Sequence, residues 1–469
     1  MARTITPEEK DLARELLERA RCAMDQIRGY DQERIDRLIR AVAWATSNEK
    51  TATRLAYMGV DESGLGDRAG RPNKRFKIQG ILRDALRQKS VGVIEEIPEK
   101  GIVKYAKPAG VIASLVPVTN AALTEPGNGI YALKCKDAII FSPHPASRRT
   151  TFETVRIMRE AVKRLGAPED VFQCIEKPSI PLAQELMAIC DLTIATGGSA
   201  MVRAAYSSGK PAYGVGAGNA TMVIDETANI EEAARNTRLS KTSDFGSGCS
   251  ADGNLVVEET IYDRLLHQLQ VEGGYMVTAE EKELLRQALW DAEGHRTAET
   301  IARSAPRIAQ IAGFSIPQDK CFLIVPETQI GKEHPFSGEK LCTVLSIFKY
   351  GGGFGNALEM VRRIYEVGGK GHSCGIYSFN DEHIHQLALM APVSRIMVRQ
   401  PQSKANAGAF NNGMPMTSSM GCGIWGGNIT NENLSLKHYM QVTWVARPIP
   451  EVRPSEAELF GEFYNTDQY

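Results

Sequence analysis

The sequence predicts an α/β protein built on two doubly wound, largely parallel sheets. Short apolar runs alternate with amphipathic helical stretches from about residue 110 to about residue 400, a rhythm typical of parallel strands joined by helices. Polar and glycine-rich sequences follow several of these runs, where doubly wound sheets bind their ligands. The chain has 469 residues, 43% of them hydrophobic, which suffices for the cores of two such domains.

Composition argues against several classes of function. The net charge of -1 at pH 7 offers no electrostatic attraction to nucleic acid or to an anionic membrane. The nine cysteines include no Cys-x-x-Cys pair, so we expect reduced thiols in a cytoplasmic protein. His383 and His385 form the one close histidine pair and lie in a polar stretch with no obvious further ligands, so no metal is expected. No apolar run approaches the ~18 residues of a membrane span, and we expect no targeting segment.

The first ninety residues are predicted to be mainly helical. Thr6-Pro7-Glu8-Glu9 combines a capping box with proline at the first helical position, which predicts a helix start. A second amphipathic helix is predicted from about Asp31. Short β runs then predict a hairpin near residues 92–108, and β character returns at 441–446.

From Gly110 the predicted strands and helices alternate. The predicted strands lie at 111–116, 137–141, 171–175, 191–195 and 212–215 in a first unit, and at 254–257, 321–325, 344–348, 374–377 and 394–398 in a second. The predicted helices lie near 147–165, 181–189, 198–208, 229–240, 259–269, 279–292 and 297–312. We therefore predict a first domain over residues 1–220, a second over 221–428, and a return strand with a C-terminal tail over 429–469.

One cysteine, Cys249, lies in a loop suited to a nucleophile. Gly246, Gly248 and Ser250 surround it with small residues, and a predicted strand begins at Asn254. A thiol on a tight loop just before a buried strand is open to attack a substrate. Free cysteines are also among the most buried residue types, so this pattern alone leaves a packing role open.

Three strand ends in the first unit carry sequences suited to a ligand. Pro117-Val118-Thr119-Asn120 ends one strand, Ser142-Pro143-His144-Pro145 ends the next, and Thr196-Gly197-Gly198-Ser199 ends another and opens a helix. A glycine turn at a helix start offers free N–H groups to a phosphate. The chain has no Gly-x-Gly-x-x-Gly fingerprint at this position, and a plain strand-to-helix turn fits the glycine pair equally well.

Together these motifs resemble the aldehyde dehydrogenase superfamily, and more narrowly its CoA-acylating branch. The resemblance extends from about residue 10 to residue 448. It rests on Pro117-x-x-Asn120, Ile139-Ile-Phe-Ser-Pro-His-Pro145, Ala195-Thr-Gly-Gly-Ser199, Gly214-Val-Gly-Ala-Gly-Asn219, the Cys249 loop, Glu339-Lys-Leu341, Gly368-Gly-Lys-Gly-His372 and Gly421-Cys-Gly-Ile-Trp-Gly-Gly-Asn428.

The resemblance implies that Cys249 attacks an aldehyde and becomes a thioester once hydride has left to a nicotinamide. Asn120 and the backbone N–H of Cys249 would hold the oxyanion, while a helix-capping role for Asn120 is the alternative or an addition. Glu339 would bind the nicotinamide ribose, unless it is a solvated surface acid. The first domain would bind the dinucleotide and the second would carry the cysteine. The remaining dinucleotide contacts would come from Pro117, Val118, Ser142, Pro143, His144, Thr196, Gly197, Gly198, Ser199 and Gly216.

Two departures from the hydrolytic branch favour CoA over water as the acyl acceptor. Hydrolytic members carry a general-base glutamate where this chain has Gly214-Val-Gly-Ala217, and a lysine where it has Ser142. Without that base the thioester would wait for the CoA thiol, although no stretch of sequence marks a CoA site. The reverse reaction, acyl-CoA reduction, would use the same residues, so the direction stays open. A catalytically silent paralogue is disfavoured because the predicted catalytic residues are present.

The expected substrate is a short, anionic aldehyde: sulfoacetaldehyde first, with succinate semialdehyde and acetaldehyde as alternatives. Hydroxyl groups of Ser247 and Ser250, and of Thr417 and Ser418 on a facing loop, would hold the anion together with backbone N–H groups. In the alternative interpretation these small residues only keep the two loops compact.

The dinucleotide and the quaternary state are also suggested by the resemblance. Arg148 and Arg149 follow the strand end where this family places the adenosine ribose, and they would pair with the 2′-phosphate of NADP. If they are two solvated arginines instead, NAD serves equally well. The β runs at 102–105 and 441–446 lie where the family forms inter-subunit strand contacts, so a homodimer or homotetramer is expected.

Overall fold

The structure, a computed structural model, describes residues 3–464, apart from the side chain of Ser199. Within that range fifteen strands form three sheets. The strands are β1 (Val93–Ile97), β2 (Ile102–Pro108), β3 (Val111–Val116), β4 (Ala138–Pro143), β5 (Phe172–Cys174), β6 (Leu192–Thr196), β7 (Ala212–Val215), β8 (Thr221–Ile224), β9 (Asn254–Glu258), β10 (Gly274–Met276), β11 (Phe322–Glu327), β12 (Val344–Tyr350), β13 (Cys374–Tyr377), β14 (Ile396–Val398) and β15 (Met440–Ala446).

The α-helices of the described range surround these sheets. They are α1 (Pro7–Ile27), α2 (Gln32–Ser47), α3 (Glu49–Ser63), α4 (Arg75–Leu86), α5 (Thr124–Lys134), α6 (Arg148–Lys163), α7 (Ile180–Ile189), α8 (Ser199–Tyr206), α9 (Ile230–Lys241), α10 (Glu259–Val271), α11 (Ala279–Leu289), α12 (Ala305–Ala312), α13 (Phe354–Val367), α14 (Asp381–Met390), α15 (Gln402–Ala405) and α16 (Glu456–Phe460). None of them is both long enough and apolar enough to cross a membrane.

The first sheet has the strand order β5-β4-β3-β6-β7 and is parallel throughout. Its chain order reverses between β3 and β6, which opens a crevice at the carboxyl ends of these two strands. Alternate residues of β3 face opposite cores, as the pleat requires. Val111 and Ala113 pack with α1 and α7, whereas Ile112 packs with α2, α4, α5 and α6.

The second sheet has seven parallel strands in the order β10-β11-β12-β9-β8-β13-β14. Leu255 and Val257 of β9 pack against α9 and α10 on one face, and Val256 packs against α13 and α14 on the other. Residues 216–220 connect β7 of the first sheet to β8 of the second. This short connection keeps the carboxyl edge of one sheet close to the amino edge of the other.

The third sheet is antiparallel and consists of β1, β2 and β15. The predicted hairpin near 92–108 is therefore present. Its third strand comes from the same chain, since β15 pairs with β2 from Met440↔Pro108 to Ala446↔Ile102. The predicted return strand thus completes a sheet within the chain, and the strand contacts between subunits expected at 102–105 and 441–446 stay a prediction.

The predicted elements agree closely with the observed ones. The strands at 111–116, 212–215 and 374–377 have the predicted bounds, and the other predicted strands of the two parallel sheets differ by one or two residues at their ends. The Thr6 capping box is confirmed. The helix predicted at 297–312 is wrong in its first half: α12 begins only at Ala305, because Pro306 fits the first turn of a helix but not its interior.

The predicted domain boundary at residue 220 separates the strands of the two parallel sheets, but side-chain packing crosses the later boundaries. Met416, inside the predicted second domain, and Leu434 and Leu436, in the predicted tail, join the core of the first sheet. The last five residues of the predicted tail lie outside the described range.

A buried carboxyl group on α5 makes the stability of this fold depend on pH. Glu125 is completely buried, and its carboxyl oxygens have no well-formed hydrogen bond within the described residues. Burial raises the pKa of Glu125 to about 7, against 4.5 for the free side chain. Between these two pKa values the folded state holds a proton that the unfolded chain releases. The contribution of this proton to the free energy of unfolding is complete below pH 4.5 and is lost as the pH rises to about 7.

We predict that Glu125→Gln loses less stability than the wild type between about pH 5 and about pH 8, because the amide does not ionise. Urea unfolding at both pH values should show that the free energy of unfolding falls further in the wild type than in the variant, by up to roughly 3 kcal/mol. Glu18→Gln, an exposed change on α1, is the matched control. Parallel pH profiles for wild type and Glu125→Gln would contradict the prediction.

Candidate active site

Three segments converge at the amino edge of the second sheet. The strands β9, β8 and β13 start side by side in register. Cys249, Gly218 and His372 lie just before these three strands, so the fold brings them together although they are distant in sequence. The predicted ligand contacts of the first sheet lie at its carboxyl edge, where doubly wound sheets bind ligands. The thiol of Cys249 instead lies at the amino edge of the second sheet.

Cys249 is paired with a histidine. Its Sγ lies 3.0 Å from Nε2 of His372, and the other ring nitrogen lies 2.9 Å from Oγ of Ser373. When the thiol donates to Nε2, Nδ1 carries the proton and donates to the serine hydroxyl. Arg395 donates to the backbone carbonyl of His372 at 3.1 Å and holds this segment in place. The arrangement is a thiol with a fixed base beside it.

Burial keeps both members of the pair neutral. It raises the pKa of Cys249 to about 12, with the negative charge of Glu339 adding to the effect and Arg395 opposing it. It also lowers the pKa of His372 to about 3. The thiol must therefore give up its proton as it attacks, and neutral His372 is positioned to accept it.

Gly218 holds the cysteine loop and a carboxylate together. A Cβ at this position would lie 2.0 Å from the carbonyl oxygen of Cys249, so only glycine allows this approach. The N–H of Gly218 donates to Oε1 of Glu339 at 3.0 Å. The neighbouring Asn219 donates to the carbonyl oxygen of Ser337 at 2.9 Å and fixes the segment that carries Glu339.

Glu339 therefore lies inside the site. Burial raises its pKa to about 7, opposed by the Gly218 N–H and by Arg296, Lys241 and Lys340. Its side chain is half-buried and accepts the N–H of Gly218, which disfavours the alternative of a solvated surface acid. A contact of Glu339 with a nicotinamide ribose stays a prediction, and the position beside the cysteine loop is compatible with it.

A buried carboxylate, Asp244, orders the loop that leads to Cys249. Asp244 and Phe245 both have positive φ, at 50° and 53°. The carboxylate accepts hydrogen bonds from Arg71 at 3.1 and 2.8 Å, from Lys74 at 2.8 Å, and from the N–H of Asp67 at 2.8 Å. Burial opposes ionisation, but the two cations hold its pKa well below the usual range.

Lys74 extends this network to Asn120. Its Nζ donates to Oδ1 of Asn120 at 2.7 Å and to the carbonyl oxygen of Thr119 at 3.1 Å. Because Oδ1 is engaged, the NH₂ end of the Asn120 amide remains to donate. The capping alternative is wrong: α5 begins at Thr124 with Leu123 as its N-cap. Donation by Asn120 to an oxyanion stays a prediction.

The predicted dinucleotide contacts of the first sheet surround its crevice. Pro117 and Val118 directly follow β3. Thr196 is the last residue of β6, and Gly197 follows it. These two pairs lie on either side of the point where the chain order of the strands reverses. Gly198 is the N-cap of α8, while the side chain of Ser199 is outside the described structure. The N–H groups at the start of α8 offer donors to a phosphate, and binding of a dinucleotide in this crevice stays a prediction.

The next predicted contacts lie at the end of β4 and near Cys422. Ser142 and Pro143 are buried within β4, whereas His144 is exposed and its Nδ1 accepts the N–H of Ala146 at 3.1 Å. Gly216 has room beside it, since a Cβ there would stand 3.8 Å from Sγ of Cys422.

Arg148 and Arg149 lie exposed at the start of α6, but the helix start is already occupied. The N–H groups of Arg149 and Thr150 donate to the carboxylate of Glu62, each at 2.8 Å. Both arginines line a surface cavity of about 380 Å³ together with Arg54, Phe152 and others. Pairing with a 2′-phosphate stays a prediction, and Glu62, which the sequence did not reveal, brings a negative charge to this position.

Most hydroxyl groups predicted to bind substrate are engaged within the protein. Ser247 donates to Asp244 at 3.0 Å, and Ser418 donates to Asn128 at 2.9 Å. The Thr417 hydroxyl donates to the carbonyl oxygen of Ser419 at 2.9 Å and accepts its N–H at 3.0 Å. Ser250 is buried. For Ser247 and Thr417 these contacts favour the alternative interpretation, in which the hydroxyls stabilise their loops.

Among residues 3–464, two groups of side chains are close enough to share a cation, and neither contains Cys249 or His372. They are Asp225, Glu226 and His383, and Asp291, Glu293 and His295. The Asp225 carboxylate already accepts from His383 at 2.8 Å and from Ser378 and Thr227. Hydrogen bonding thus accounts for the first group, and the second is exposed. The absence of a metal stays a prediction.

The comparisons with known proteins agree with this geometry. The family described as "Aldehyde dehydrogenase family" matches residues 3–275. The chain is 43% identical over 453 residues to a sulfoacetaldehyde dehydrogenase of Acholeplasma sp, covering 95% of this chain and 93% of that protein. It is 38% identical over 455 residues to a sulfoacetaldehyde dehydrogenase (acylating) of Bilophila wadsworthia, covering 96% and 98%.

Two solved structures show the same fold. An acetylating aldehyde dehydrogenase from Geobacillus thermoglucosidasius superposes with a TM-score of 0.92 at 34% identity, covering 96% of this chain and 99% of that one. A propionaldehyde dehydrogenase of Rhodopseudomonas palustris, with bound CoA and an acylated cysteine, superposes with a TM-score of 0.82 at 25% identity, covering 93% and 97%.

We predict that His372→Gln slows alkylation of Cys249 by iodoacetamide near pH 7.5 by roughly tenfold or more, because the thiol loses its base. Peptide mass spectrometry distinguishes Cys249 from the other eight cysteines, and Cys249→Ser supplies the unlabelled control. An unchanged alkylation rate in a folded His372→Gln protein would exclude the histidine from this role.

Proposed function

The chain belongs to the aldehyde dehydrogenase family, and from that premise we propose that it is an NAD(P)-dependent, CoA-acylating enzyme that converts an aldehyde to its acyl-CoA. The observation that carries the proposal is the Cys249–His372 pair, with Sγ and Nε2 3.0 Å apart, beside a carboxylate-free segment at 214–218. The names of two relatives that share 43% and 38% of their residues with this chain support it.

The residues of the site suit the first half-reaction. His372 takes the thiol proton as Sγ of Cys249 bonds to the carbonyl carbon. The N–H of Cys249 and the amide of Asn120 stabilise the oxyanion of the adduct. The nicotinamide of a bound NAD(P)⁺ supplies the hydride acceptor. Collapse of the oxyanion, with loss of hydride from the adduct carbon, leaves a thioester on Cys249.

The second half-reaction is proposed to use the thiol of CoA. The 214–218 segment passes Cys249 and carries no carboxylate that could activate water. His372 first releases to solvent the proton that it took from Cys249. It then accepts the proton of the CoA thiol as the CoA sulfur attacks the thioester carbonyl, and it returns that proton to the departing sulfur of Cys249 when the tetrahedral adduct collapses to acyl-CoA. The Rhodopseudomonas palustris structure with CoA and an acylated cysteine supports this order of events. The same residues serve the reverse reaction, from acyl-CoA to aldehyde.

We predict that turnover depends on CoA. Without CoA, the enzyme should release at most about one NAD(P)H per Cys249 and then stall, because the thioester has no efficient acceptor. Stopped-flow absorbance at 340 nm measures the burst, and Cys249→Ser should show none. Rapid steady-state oxidation in CoA-free buffer would contradict the acylating function.

We further propose sulfoacetaldehyde as the preferred aldehyde. Its support is the likeness to two proteins named for this substrate. Succinate semialdehyde and acetaldehyde are the alternatives: the chain is also 35% identical to a succinate-semialdehyde dehydrogenase (acetylating) of Clostridium kluyveri.

A substrate panel tests the choice of aldehyde. With CoA and dinucleotide saturating, kcat/KM should be highest for sulfoacetaldehyde, ahead of succinate semialdehyde, acetaldehyde and butyraldehyde. A tenfold difference corresponds to about 1.4 kcal/mol of transition-state stabilisation. If an uncharged aldehyde leads by tenfold or more, the anionic-substrate proposal is wrong.

The dinucleotide, assembly and compartment are also proposals. NADP and NAD are both candidates. Arg148 and Arg149 favour the 2′-phosphate of NADP, whereas the negative charge of Glu62 disfavours it. Self-association into a dimer or tetramer is supported by the exposed face of the third sheet, where Trp444 is 58% exposed. Nine free cysteines suit a reducing cytoplasm.

A further inference from the structure

One lysine, Lys74, joins the predicted oxyanion donor to the loop of the predicted nucleophile. Its Nζ donates to Oδ1 of Asn120 at 2.7 Å, to the carbonyl oxygen of Thr119 at 3.1 Å and to Oδ2 of Asp244 at 2.8 Å. An ammonium group has three donors and no acceptor, so these contacts use its whole hydrogen-bonding capacity. Lys74 therefore has no donor left for a substrate, and its effect on the reaction passes through the groups that it holds.

The contact with Lys74 decides which end of the Asn120 amide can donate. The atom beside Nζ has to be the amide oxygen, because the amide nitrogen would set a donor against a donor. Within residues 3–464, no group accepts a hydrogen bond from Nδ2 of Asn120. The acceptor end of the amide is thus held while its donor end has no protein partner, which is the orientation that an oxyanion requires.

The backbone of Asn120 is held by the turn that follows β3. Its N–H donates to the carbonyl oxygen of Pro117 at 3.2 Å. Its own carbonyl oxygen accepts the hydroxyl of Thr124 at 3.1 Å and the N–H of Leu123 at 3.2 Å. These contacts leave the amide free to rotate about the Cβ–Cγ bond. Among the described residues, only Lys74 restrains that rotation through a hydrogen bond.

The carboxylate of Asp244 supports Lys74 and ties it to the cysteine loop. Burial lowers the pKa of Lys74, and the negative charge of Asp244 opposes this shift. The same oxygen, Oδ2, accepts from Lys74 and from the hydroxyl of Ser247 at 3.0 Å, two residues before Cys249. A single ammonium group thus connects the Asn120 amide to the loop that carries the thiol.

A positive charge on its carbonyl oxygen makes an amide a stronger donor. The charge draws electron density from the nitrogen toward the oxygen, so the N–H groups become more positive. In a chain from ammonium to amide to oxyanion, each hydrogen bond polarises the next. This strengthening is greatest once the oxyanion has formed, so it lowers the barrier more than it tightens binding of the aldehyde.

We infer that Lys74 is a positioning residue of the reaction, which orients the Asn120 amide and strengthens it as the oxyanion donor. The inference deepens the proposed function and rests on it, because that function assigns the oxyanion to Asn120 and to the N–H of Cys249. Loss of Lys74 should slow the steps that pass through a tetrahedral oxyanion and should spare other reactions of the thiol.

Two reagents separate these effects at Cys249 without a dinucleotide, CoA or a particular aldehyde. With p-nitrophenyl acetate, the sulfur bonds to the acyl carbon, a tetrahedral oxyanion forms, and p-nitrophenolate leaves as it collapses. Iodoacetamide instead loses iodide directly as the sulfur bonds to its methylene carbon, with no such oxyanion. The ratio of the acylation rate to the alkylation rate therefore reports the oxyanion donor.

This ratio should fall by at least about tenfold in Lys74→Met and by roughly 10²-fold or more in Asn120→Ala. Lys74→Arg should retain more of the ratio, because a guanidinium group also carries a charge and can donate to Oδ1. Lys74→Gln, a neutral donor, is the second variant and should also lower the ratio. Thermal melting confirms that each variant is folded.

Lys282→Met is the matched control. Lys282, on α11, also donates to a backbone carbonyl, that of Pro326 at 3.0 Å, and pairs with a carboxylate, that of Glu327 at 2.9 Å. Its side chain is 33% exposed, against 26% for Lys74, and it contacts no predicted catalytic residue. This variant should keep the wild-type ratio. Cys249→Ser gives the background from the other eight cysteines.

The inference also requires that Lys74 act through Asn120. In an Asn120→Ala background, Lys74→Met should lower the ratio by less than about twofold, because the amide that it orients is absent. Equal losses in the two backgrounds, or a wild-type ratio in folded Lys74→Met, would overturn the inference. So would alkylation that slows as much as acylation, since the lysine would then only hold the cysteine loop.

The proposed function is decided by a different measurement. CoA-dependent oxidation of an aldehyde by the wild type tests the function, whereas the ratio at Cys249 tests Lys74. A wild type without CoA-dependent turnover would refute the acylating function, and an unchanged ratio in an active enzyme would refute only the role of Lys74.

Discussion

The buried carboxylate of Asp244 is the interaction on which the active site depends. It joins the helical N-terminal region, through Arg71 and Lys74, to the loop that carries Cys249. The left-handed conformations of Asp244 and Phe245 cost about 1 kcal/mol or more each, and charge-assisted hydrogen bonds offset that cost. Removing either side would leave a buried charge unpaired. The same network fixes the Asn120 amide, so the predicted nucleophile and the predicted oxyanion donor share one anchor.

The site also depends on how the two parallel sheets meet. The crevice of the first sheet opens at its carboxyl edge, while Cys249 and His372 lie at the amino edge of the second. Residues 216–220 connect the two edges, and Gly218 allows the chain to pass against the cysteine carbonyl.

Burial decides which groups of the site are charged. It keeps Cys249 and His372 neutral, and in the proposed mechanism the pair becomes charged only as Sγ attacks the carbonyl carbon.

Local sequence predicted most of the strands and several helix ends, because periodicity, capping residues and glycine-rich turns act over a few neighbouring positions. The bounds of β3, β7 and β13 were predicted correctly for this reason. Local sequence also marked the loop of Cys249 as a candidate site, although the choice of this cysteine needed the family resemblance. Tertiary structure alone decided the pairing of His372 with Cys249, 123 residues away, and of Lys74 with Asp244, 170 residues away. No periodicity relates such positions, since sheet order and the connection at 216–220 set which loops meet. Burial then set the charges of the residues that meet, and burial follows from packing.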